Sequence, residues 1–361
     1  MQLPVNPPVL PMLAKRVGDL PTEGDWIFEP KWDGFRSLLF RDGNEILIQS
    51  RDEKPLNRYF PELLEPLRSA LPRRCVLDGE IVIARHNELD FEALQLRLHP
   101  AASRVKLLSQ QTPSSFVFFD LLCLGDRDLR EEPFLTRRHE LEFLISSAPP
   151  PVHLTPATED RALAADWFRR FEGAGLDGVV AKEKSGTYQA NKRVMLKVKH
   201  ERDCDCVVAG FRWHKKGDRT LVGSLLLGLF DETGVLQHVG VCASFSTEKR
   251  RELAEFLEPY RKDSLHRHPW KGWADDEITS ERLGRMPGGQ SRWSQGKDLS
   301  WEAVRPELVV EVAYDHMQGK RFRHTAQFRR WRMDKKPVDC SYAQLEVVPP
   351  QELAAIFPSG R

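Results

Sequence analysis

Short apolar runs dominate the first 200 residues, and their length and composition predict strands. Longer stretches with apolar residues at helical spacing separate some of these runs and predict amphipathic helices. Two of the runs flank Asp42, Gly43 and Asn44, a combination typical of a hairpin turn. Residues 1–24 are rich in proline and predict an extended lead-in. The predicted strands are 26–29, 35–40, 45–49, 75–83, 116–122, 175–182 and 193–199, and the predicted helices are 60–70, 91–98, 137–145 and 161–172.

The pattern changes after Lys199, where strands are predicted at 206–211, 223–230, 237–245 and 308–314. One helix is predicted at 247–261, with Thr247 as its N-cap. Several strands and one helix in a region of this size fit a five-stranded barrel that binds oligonucleotides, the OB-fold. The segment 263–300, rich in Trp, Gly and Ser, is predicted to be a barrel loop without an assigned role.

These elements predict an α+β protein with two domains. The first, at 1–200, should combine antiparallel sheets and helices, with isolated carboxylates and lysines converging from several strands on one groove. The second, at 201–345, should be an OB-fold β-barrel, and residues 346–361 are expected to form a C-terminal tail.

The composition is that of a globular protein in a reducing compartment. The chain of 361 residues is 40% hydrophobic and 30% charged, without an apolar run long enough to span a membrane. Its N-terminus lacks the pattern of a secretory signal. Of the six cysteines, only Cys204 and Cys206 lie close together, and no second pair completes a zinc site. We therefore expect reduced cysteines and a cytoplasmic location.

The net charge of +1 conceals an uneven distribution. Residues 320–336 contain eight basic residues against the single acid Asp334, and the aromatic residues Phe322, Phe328 and Trp331 are interleaved with them. A solvated charged face is the common explanation of such a run, but the aromatic residues favour a phosphate-rich partner. The basic residues are Lys320, Arg321, Arg323, Arg329, Arg330, Arg332, Lys335 and Lys336.

The stretch EPKWDGFR at 29–36 suggests covalent nucleotide transfer. Lys31 could attack the α-phosphate of a nucleoside triphosphate and carry the nucleotide as a phosphoramidate. A lysine amine reacts only after it loses its proton, so it needs partial burial or nearby cations. Because a surface Asp-Gly turn beside a solvated lysine is common, the interpretation depends on partners elsewhere in the chain.

Those partners appear in a characteristic order. They are SR at 50–51, LDGE at 77–80, FFDLL at 118–122, DGVVAK at 177–182, LKVK at 196–199 and FRRWRMDK at 328–335. Together with KWDGFR at 31–36, this series resembles the ATP-dependent DNA ligases, within the superfamily of covalent nucleotidyltransferases that also includes RNA ligases and mRNA capping enzymes. The resemblance runs from about residue 11 to residue 337 and makes the first domain an adenylyltransferase domain.

The resemblance implies a role for each matched residue. Lys31 would be adenylylated, Glu29 would read the adenine amino group and Phe119 would stack on adenine. Alternation along the strand allows only one of Phe118 and Phe119 to do so. The remaining matched residues are implied to contact the nucleotide or the nick. Arg36 and Arg51 would contact the ribose and the 5′-phosphate of the nick, Glu80 would contact the ribose, and Lys182 would lie in the nucleotide site. Lys197 and Lys199 would contact the triphosphate, and the departing pyrophosphate would be contacted by Arg332, Asp334 and Lys335.

A divalent metal ion, Mg²⁺ or Mn²⁺, is expected because it offsets phosphate charge. Glu80 and Asp177 are the candidate ligands. Asp177 departs from the family, since many ligases have a glutamate at this position, and the shorter side chain puts its role as a ligand in question.

The implied reaction has three phosphoryl transfers: from ATP to Lys31, from Lys31 to the 5′-phosphate of a DNA break, and displacement of AMP by the 3′-hydroxyl. Because Lys31 and the last motif lie on different domains, the domains should approach for the first step and separate for DNA binding. The expected partner is nicked duplex DNA, with repair proteins as further partners. The chain resembles a compact bacterial repair ligase, monomeric, associated with the nucleoid, without an additional DNA-encircling domain and therefore sensitive to salt.

Two other interpretations stay open on the sequence alone. An RNA ligase or capping enzyme would use the same lysine chemistry on a different acceptor or with GTP. A non-catalytic nucleic-acid-binding protein would keep the barrel and have a degenerate first domain. Against the latter, Lys31, Glu80, Lys197 and Lys199 are all present.

Overall fold

The computed structural model describes residues 1–85, 88–170, 175–216, 218–266, 268–271, 300–315 and 317–345. The predicted tail at 346–361 and most of the predicted loop at 263–300 lie outside the described residues, as does the end of the helix predicted at 161–172. The chain folds as two compact units, one comprising Met1–His200 and the other beginning at Glu201. No helix in the part of the chain that the structure describes is long and apolar enough to cross a membrane.

The first unit contains two main sheets, a further two-stranded sheet and five α-helices among its described residues. Its strands are β1 (Leu13–Val17), β2 (Trp26–Pro30), β3 (Phe35–Asp42), β4 (Glu45–Ser50), β5 (Arg74–Val82), β6 (Ala84–Arg85), β7 (Glu88–Leu89), β8 (Ser115–Leu124), β9 (Arg127–Asp128), β10 (Val152–Leu154), β11 (Gly178–Glu183) and β12 (Arg193–Lys199). Its helices are α1 (Pro61–Ala70), α2 (Phe91–Leu96), α3 (Ala102–Gln111), α4 (Phe134–Ile145) and α5 (Arg161–Arg170).

Of the two main sheets, the smaller has the strand order β1-β12-β11-β2, and the larger has the order β10-β8-β5-β3-β4, with β9 paired to β8. Strands β6 and β7 pair with each other. The hairpin predicted around Gly43 is confirmed as β3 and β4. Most neighbouring strands are antiparallel, as predicted, but the outer pairs β1–β12 and β10–β8 are parallel. Helix α3 and strand β10 were not predicted, because neither has a marked periodic pattern.

An apolar core lies between the two sheets of the first unit. It joins Leu38 and Phe40 of β3 to Met195 of β12. The lead-in, predicted to be merely extended, also contributes β1 and buries Leu3 and Val5 in this core. Its apolar residues fill the space between the sheets, which explains why this proline-rich segment is ordered. The opposite face of the smaller sheet packs against α5.

The second unit is a closed barrel with the strand order β13-β14-β15-β19-β16, as the sequence predicted for an OB-fold. Its helix begins one residue after Ser246, whose hydroxyl accepts a hydrogen bond from the Lys249 amide, so the N-cap is Ser246 and not Thr247. The described elements are β13 (Arg202–Trp213), β14 (Val222–Phe230), β15 (Leu236–Ala243), α6 (Thr247–Arg261), β16 (Glu302–Tyr314), β17 (Met317–Gln318), β18 (Arg321–Phe322) and β19 (Ala326–Trp331).

Strand β19 lies within the basic stretch 320–336, where the sequence analysis predicted no strand. It closes the barrel by pairing with β15 and β16. All six cysteines are buried and free of disulfide bonds, and the sulfur atoms of Cys204 and Cys206 lie 3.4 Å apart on one face of β13.

Candidate active site

The backbone fixes the position of Lys31 relative to Asp177. The Lys31 amide donates to the Gly178 carbonyl at 2.8 Å, and the Asp177 amide donates to the Lys31 carbonyl at 2.9 Å. Gly178 has a φ of +133°, and a Cβ there would lie 2.0 Å from the Val198 carbonyl oxygen. Only glycine allows this close approach, so the DGVVAK motif supplies a backbone conformation as well as an acidic side chain.

The side chains of Lys31 and Lys199 meet at one carboxylate oxygen. The Nζ atom of Lys31 lies 2.7 Å from Asp177 Oδ2, and the Nζ atom of Lys199 lies 2.8 Å from the same atom. The Asp177 side chain is only 5% exposed. The structure therefore places the predicted nucleophile in a sheltered cluster in which two cations share one acid.

Lys197 adds a third cation to this cluster. Alternation along β12 puts Lys197 and Lys199 on the face that carries Met195, which packs in the core between the sheets. Burial lowers the pKa of Lys197, and the charges of Lys31 and Lys199 lower it further. The cluster is thus a half-buried cationic site, a suitable environment for a polyphosphate.

Glu80 faces the turn that follows Lys31. Its Oε1 atom accepts a hydrogen bond from the Gly34 amide at 3.1 Å. A Cβ at Gly34 would lie 2.2 Å from the Ile81 carbonyl oxygen, so the turn can approach β5 only with glycine there. Burial raises the pKa of Glu80 to about 7, although Arg36 and Lys31 oppose the shift.

Arg36 is held by an acid that the sequence analysis did not single out. Its Nε and Nη2 atoms donate to the two carboxylate oxygens of Asp78 at 2.8 and 2.7 Å. Asp78 is fully buried and also accepts a hydrogen bond from the Tyr188 hydroxyl at 2.6 Å. Its place in LDGE could have indicated this role, because an acid in an apolar strand needs a cationic partner.

Phe118 and Phe119 occupy opposite faces of β8, as alternation requires. The ring of Phe118 stacks on Phe116 in the core at 4.3 Å between centroids. The ring of Phe119 lies on the other face, with the Arg36 guanidinium 4.7 Å and the Lys182 ammonium 4.8 Å from its centroid. Of the two rings, Phe119 is the one placed beside the predicted nucleotide-binding side chains.

Glu29 is buried between two cations. Lys182 approaches its Oε2 atom at 2.8 Å, and Arg138 of α4 approaches its Oε1 atom at 3.2 Å. Lys182 also donates to the Phe119 carbonyl at 2.9 Å. Arg138 was missed by the sequence analysis, because nothing in the periodic pattern of α4 distinguishes it from a surface arginine.

Arg51 is the least integrated of the predicted residues in the first unit. Its backbone amide donates to the Arg36 carbonyl at 3.1 Å, but its side chain is exposed and makes no hydrogen bond or ion pair within the described ranges. The structure therefore brings together Glu29, Lys31, Arg36, Glu80, Phe119, Asp177, Lys182, Lys197 and Lys199, and leaves Arg51 at their margin.

Arg332, Asp334 and Lys335 follow β19 in the second unit and form a separate cluster, the barrel cluster, with Asp205 and Glu311. Arg332 contacts Asp334 at 2.9 Å, Asp205 at 3.1 Å and Glu311 at 3.3 Å, and Lys335 contacts Asp205 at 2.7 Å. Asp205 and Glu311 are directly opposite each other on β13 and β16. Two facing acids repel, so the cations of the last motif stabilise this part of the barrel.

Comparisons with known proteins agree with this architecture. Residues 11–199 match the family model of the ATP dependent DNA ligase domain, and residues 218–335 match that of the ATP dependent DNA ligase C terminal region. The chain is 56% identical to DNA ligase C2 of Mycolicibacterium smegmatis over 97% of both chains. It is 53% identical to DNA ligase C of Mycobacterium tuberculosis over 100% of both.

Among solved structures, a Lig E DNA ligase shares the fold, with a TM-score of 0.55 at 19% identity over 90% of this chain and 99% of that one. The two family models together span both units, and the two relatives match over nearly the full length, so they assign the chain to one family. The chain belongs to the ATP-dependent DNA ligase family and is a DNA ligase that uses ATP.

Proposed function

We propose that Lys31 is the nucleophile that carries AMP during strand sealing. The observation that supports this most directly is the position of its Nζ atom, 2.7 Å from Asp177 and beside Lys197 and Lys199 in a half-buried groove. The neighbouring cations attract the triphosphate to the groove.

In the first step the lone pair of Lys31 Nζ forms a bond to the α-phosphorus of ATP. The bond from that phosphorus to the bridging oxygen of pyrophosphate breaks, and the amine loses a proton. The AMP then passes to the 5′-phosphate of a nick, which breaks the phosphorus–nitrogen bond. Attack by the 3′-hydroxyl releases AMP and joins the strand. Each transfer requires alignment and charge neutralisation from the residues around Lys31.

The other residues of the groove hold the nucleotide. Glu29 accepts from the adenine amino group, Phe119 stacks on the base, and Glu80 and Arg36 contact the ribose. Arg51, which is exposed, suits contact with the 5′-phosphate of the nick, since an arginine fork binds phosphate in a bidentate manner.

The groove also fits a divalent cation. Magnesium is typically held by one or two carboxylates together with substrate phosphates. Asp177 and Glu80 are carboxylates beside Lys31, and the described residues contain no group of three or more metal-ligating side chains. Asp177 and Glu80 would hold Mg²⁺ or Mn²⁺, which when bound neutralises charge on phosphate oxygens.

The last motif would contact the pyrophosphate during the first step only. We assign residues 1–200 to the adenylyltransferase domain and residues 201–345 to the OB-fold domain. Arg332, Asp334 and Lys335 then belong to the second domain and Lys31 to the first, so step one requires the two to approach. Nicked duplex DNA is the proposed substrate and repair the proposed setting. A monomeric state and association with the nucleoid stay predictions.

An adenylylation assay tests the proposal. The purified protein is freed of bound AMP, incubated with α-labelled ATP and Mg²⁺, and analysed on a denaturing gel. The wild type should form a labelled band that nicked DNA discharges. Lys31→Ala should form none, whereas Lys192→Ala, which changes an exposed lysine of the same unit, should label normally.

Three outcomes would contradict parts of the proposal. Labelling of Lys31→Ala would show that another residue is the nucleophile. A band discharged by nicked RNA and not by nicked DNA would make RNA the acceptor. Equal labelling with GTP would remove the assigned role of Glu29 in reading adenine.

A further inference from the structure

Arg138 of α4 is a buried arginine whose three guanidinium nitrogens all have partners. Its Nη1 atom approaches Glu29 Oε1 at 3.2 Å, and its Nη2 atom donates to the Thr155 carbonyl at 2.7 Å. Its Nε atom donates to Glu142 Oε1, also at 2.7 Å. The side chain is 4% exposed, so the guanidinium cannot rotate to other partners. This arrangement ties the predicted base-reading acid to a helix that has no other assigned role.

Lys182 holds the second oxygen of the same carboxylate. Its ammonium lies 2.8 Å from Glu29 Oε2, donates to the Phe119 carbonyl, and lies 4.8 Å from the centre of the Phe119 ring. One cation would be enough to offset the charge of Glu29. Two donors, one on each oxygen, in addition fix the plane of the carboxylate. The acid that reads the base and the ring that stacks on it are therefore aligned by the same lysine.

The Thr155 contact links this arrangement to the nucleophile. The Thr155 hydroxyl accepts a hydrogen bond from the Trp32 indole at 2.8 Å, and Trp32 is the residue next to Lys31. The ring of Trp32 packs in the same small cluster as Phe119. Arg138 thus bonds to Glu29 directly and, through Thr155, contacts the turn that carries Lys31.

A carboxylate held in a fixed orientation discriminates between purines by the group at their 6-position. An ionised carboxylate only accepts hydrogen bonds, so it pairs with the 6-amino group of adenine and opposes the 6-oxo group of hypoxanthine or guanine. A site with a fixed polar partner rejects the wrong analogue far more strongly than an adaptable one.

We propose that Arg138 is a positioning residue for base selection. Together with Lys182 it holds the Glu29 carboxylate in the plane that accepts from the adenine amino group, so that discrimination against 6-oxopurine nucleotides depends on a residue that does not touch the nucleotide. This inference rests on the proposed role of Glu29. If Arg138 merely compensated the burial of Glu29, its loss would lower stability and slow the reaction equally with every nucleotide.

The test compares ATP with inosine triphosphate, which differs at the 6-position. Rates of enzyme adenylylation are measured with each nucleotide, and the ratio of the two kcat/KM values is the readout. Arg138→Lys keeps the charge and loses the fork, and it should lower the ATP preference by about tenfold or more. Folding is monitored by thermal melting.

Arg97→Lys is the matched control. Arg97 is also buried, binds Glu62 at both carboxylate oxygens and donates to the Tyr59 carbonyl, but none of these contacts involves a predicted nucleotide-binding residue. It should lose stability without changing the nucleotide ratio by more than twofold. A ratio unchanged in Arg138→Lys, or a wild type that does not prefer ATP, would overturn the inference.

Two further variants separate the possible failures. Glu29→Gln should also lower the ratio; if it does so and Arg138→Lys does not, the inference fails and the proposed role of Glu29 stands. If neither variant changes the ratio, the proposed role of Glu29 in reading adenine is wrong, and the inference that rests on it is wrong as well. Should Arg138→Lys not fold, Arg138→Gln provides a second variant that loses the contacts to Glu29 and Thr155. A nucleotide ratio unaltered in folded Arg138→Gln would then overturn the inference.

Discussion

The groove around Lys31 and the barrel cluster around Arg332 both pair basic with acidic side chains, but the acids differ in their exposure to water. In the groove, Asp177 is 5% exposed and Asp78 is fully buried, whereas Asp334 in the barrel cluster is 69% exposed. Burial raises the pKa of Glu80 to about 7, while the hydrogen bonds from Arg332 lower the pKa of Asp334 to about 2. Desolvation therefore determines the direction of the pKa shift of Glu80, and pairing with Arg332 in contact with water determines that of Asp334.

This difference indicates which ion pairs can change partners. A buried pair is costly to separate, because each charge is left without water or a counter-ion. An exposed pair is weak, since water replaces the partner at little cost. The groove is therefore a fixed template for the nucleotide. In the barrel cluster Arg332 can exchange the exposed Asp334 for a phosphate ligand, while Asp205, which is 10% exposed, still holds Arg332 and Lys335.

The largest expected effect contrasts Asp78→Ala with Asp334→Ala. Removal of the buried acid leaves Arg36 unpaired, so the free energy of unfolding should fall by about 3–5 kcal/mol. The same substitution at the exposed Asp334 should shift the urea midpoint far less, because water replaces most of what its pair with Arg332 contributes. Both are measured by urea denaturation at pH 8. Equal shifts in the two variants would remove the distinction between the two regions.

The next prediction concerns the pH dependence of stability. Glu80 has a pKa of about 7 in the folded state and 4.5 as an unperturbed group, so between these values the folded state keeps a proton that the unfolded state has released. The stability of the wild type relative to Glu80→Gln should therefore fall as the pH rises from 4.5 to 7, by about 3 kcal/mol, and then level off.

Denaturant unfolding without ATP or metal, repeated at several pH values, measures this difference. For Asp334 the sign is the reverse, because its lowered pKa gives a stabilisation that is present above pH 3.8 and lost as the pH falls through about 2. If the difference in stability between the wild type and Glu80→Gln stayed constant from pH 4.5 to pH 7, burial would not raise the pKa of the Glu80 carboxyl.

A third prediction separates the reaction steps. Arg332→Ala should slow adenylylation of the enzyme by about 10²-fold, because a cation for the leaving pyrophosphate is lost. Sealing of a nick that is already adenylylated should change less than twofold, since no pyrophosphate leaves in that step. Arg330→Ala, a neighbouring arginine that is 65% exposed, is the control. A similar loss in both steps would place Arg332 on the DNA.

The last prediction concerns Lys197, where a small change in stability is expected. This half-buried cation lies near Lys31 and Lys199, which repel it. Lys197→Gln should shift the free energy of unfolding by no more than about 1 kcal/mol, and in the stabilising direction, because that repulsion is relieved. Its KM for ATP should nevertheless rise about tenfold. Lys192→Gln serves as the control, and a strongly destabilised Lys197→Gln would contradict this account of the groove.

Much of the fold and the site could be predicted from local patterns. Alternation along single strands was enough to put Lys197 and Lys199 on one face and to separate Phe118 from Phe119. The partners that hold these side chains could not be predicted in the same way. Tyr188 binds Asp78 across 110 residues of sequence, and Arg138 binds Glu29 across 109. Such pairs depend on how the sheets and α4 pack, which no local period specifies.

The errors have a similar origin. Helix α3 carries only Val105 and Leu108 as buried residues, so its apolar stripe is too thin to be recognised. The lead-in was predicted only as an extended segment because of its prolines, whereas the apolar residues between the prolines fill the core between the sheets. In both cases tertiary packing, and not propensity, determines the structure.

The reciprocal backbone hydrogen bonds between Lys31 and the 177–178 segment also bear on how such a site can evolve. Since they set the distance from nucleophile to acid through the register of β2, β11 and β12, single side-chain substitutions at positions other than Gly178 should leave that distance unchanged. Insertion of one residue within β11 would instead turn every following side chain to the opposite face. Insertions and deletions among homologues of this chain should therefore be absent from β2, β11 and β12.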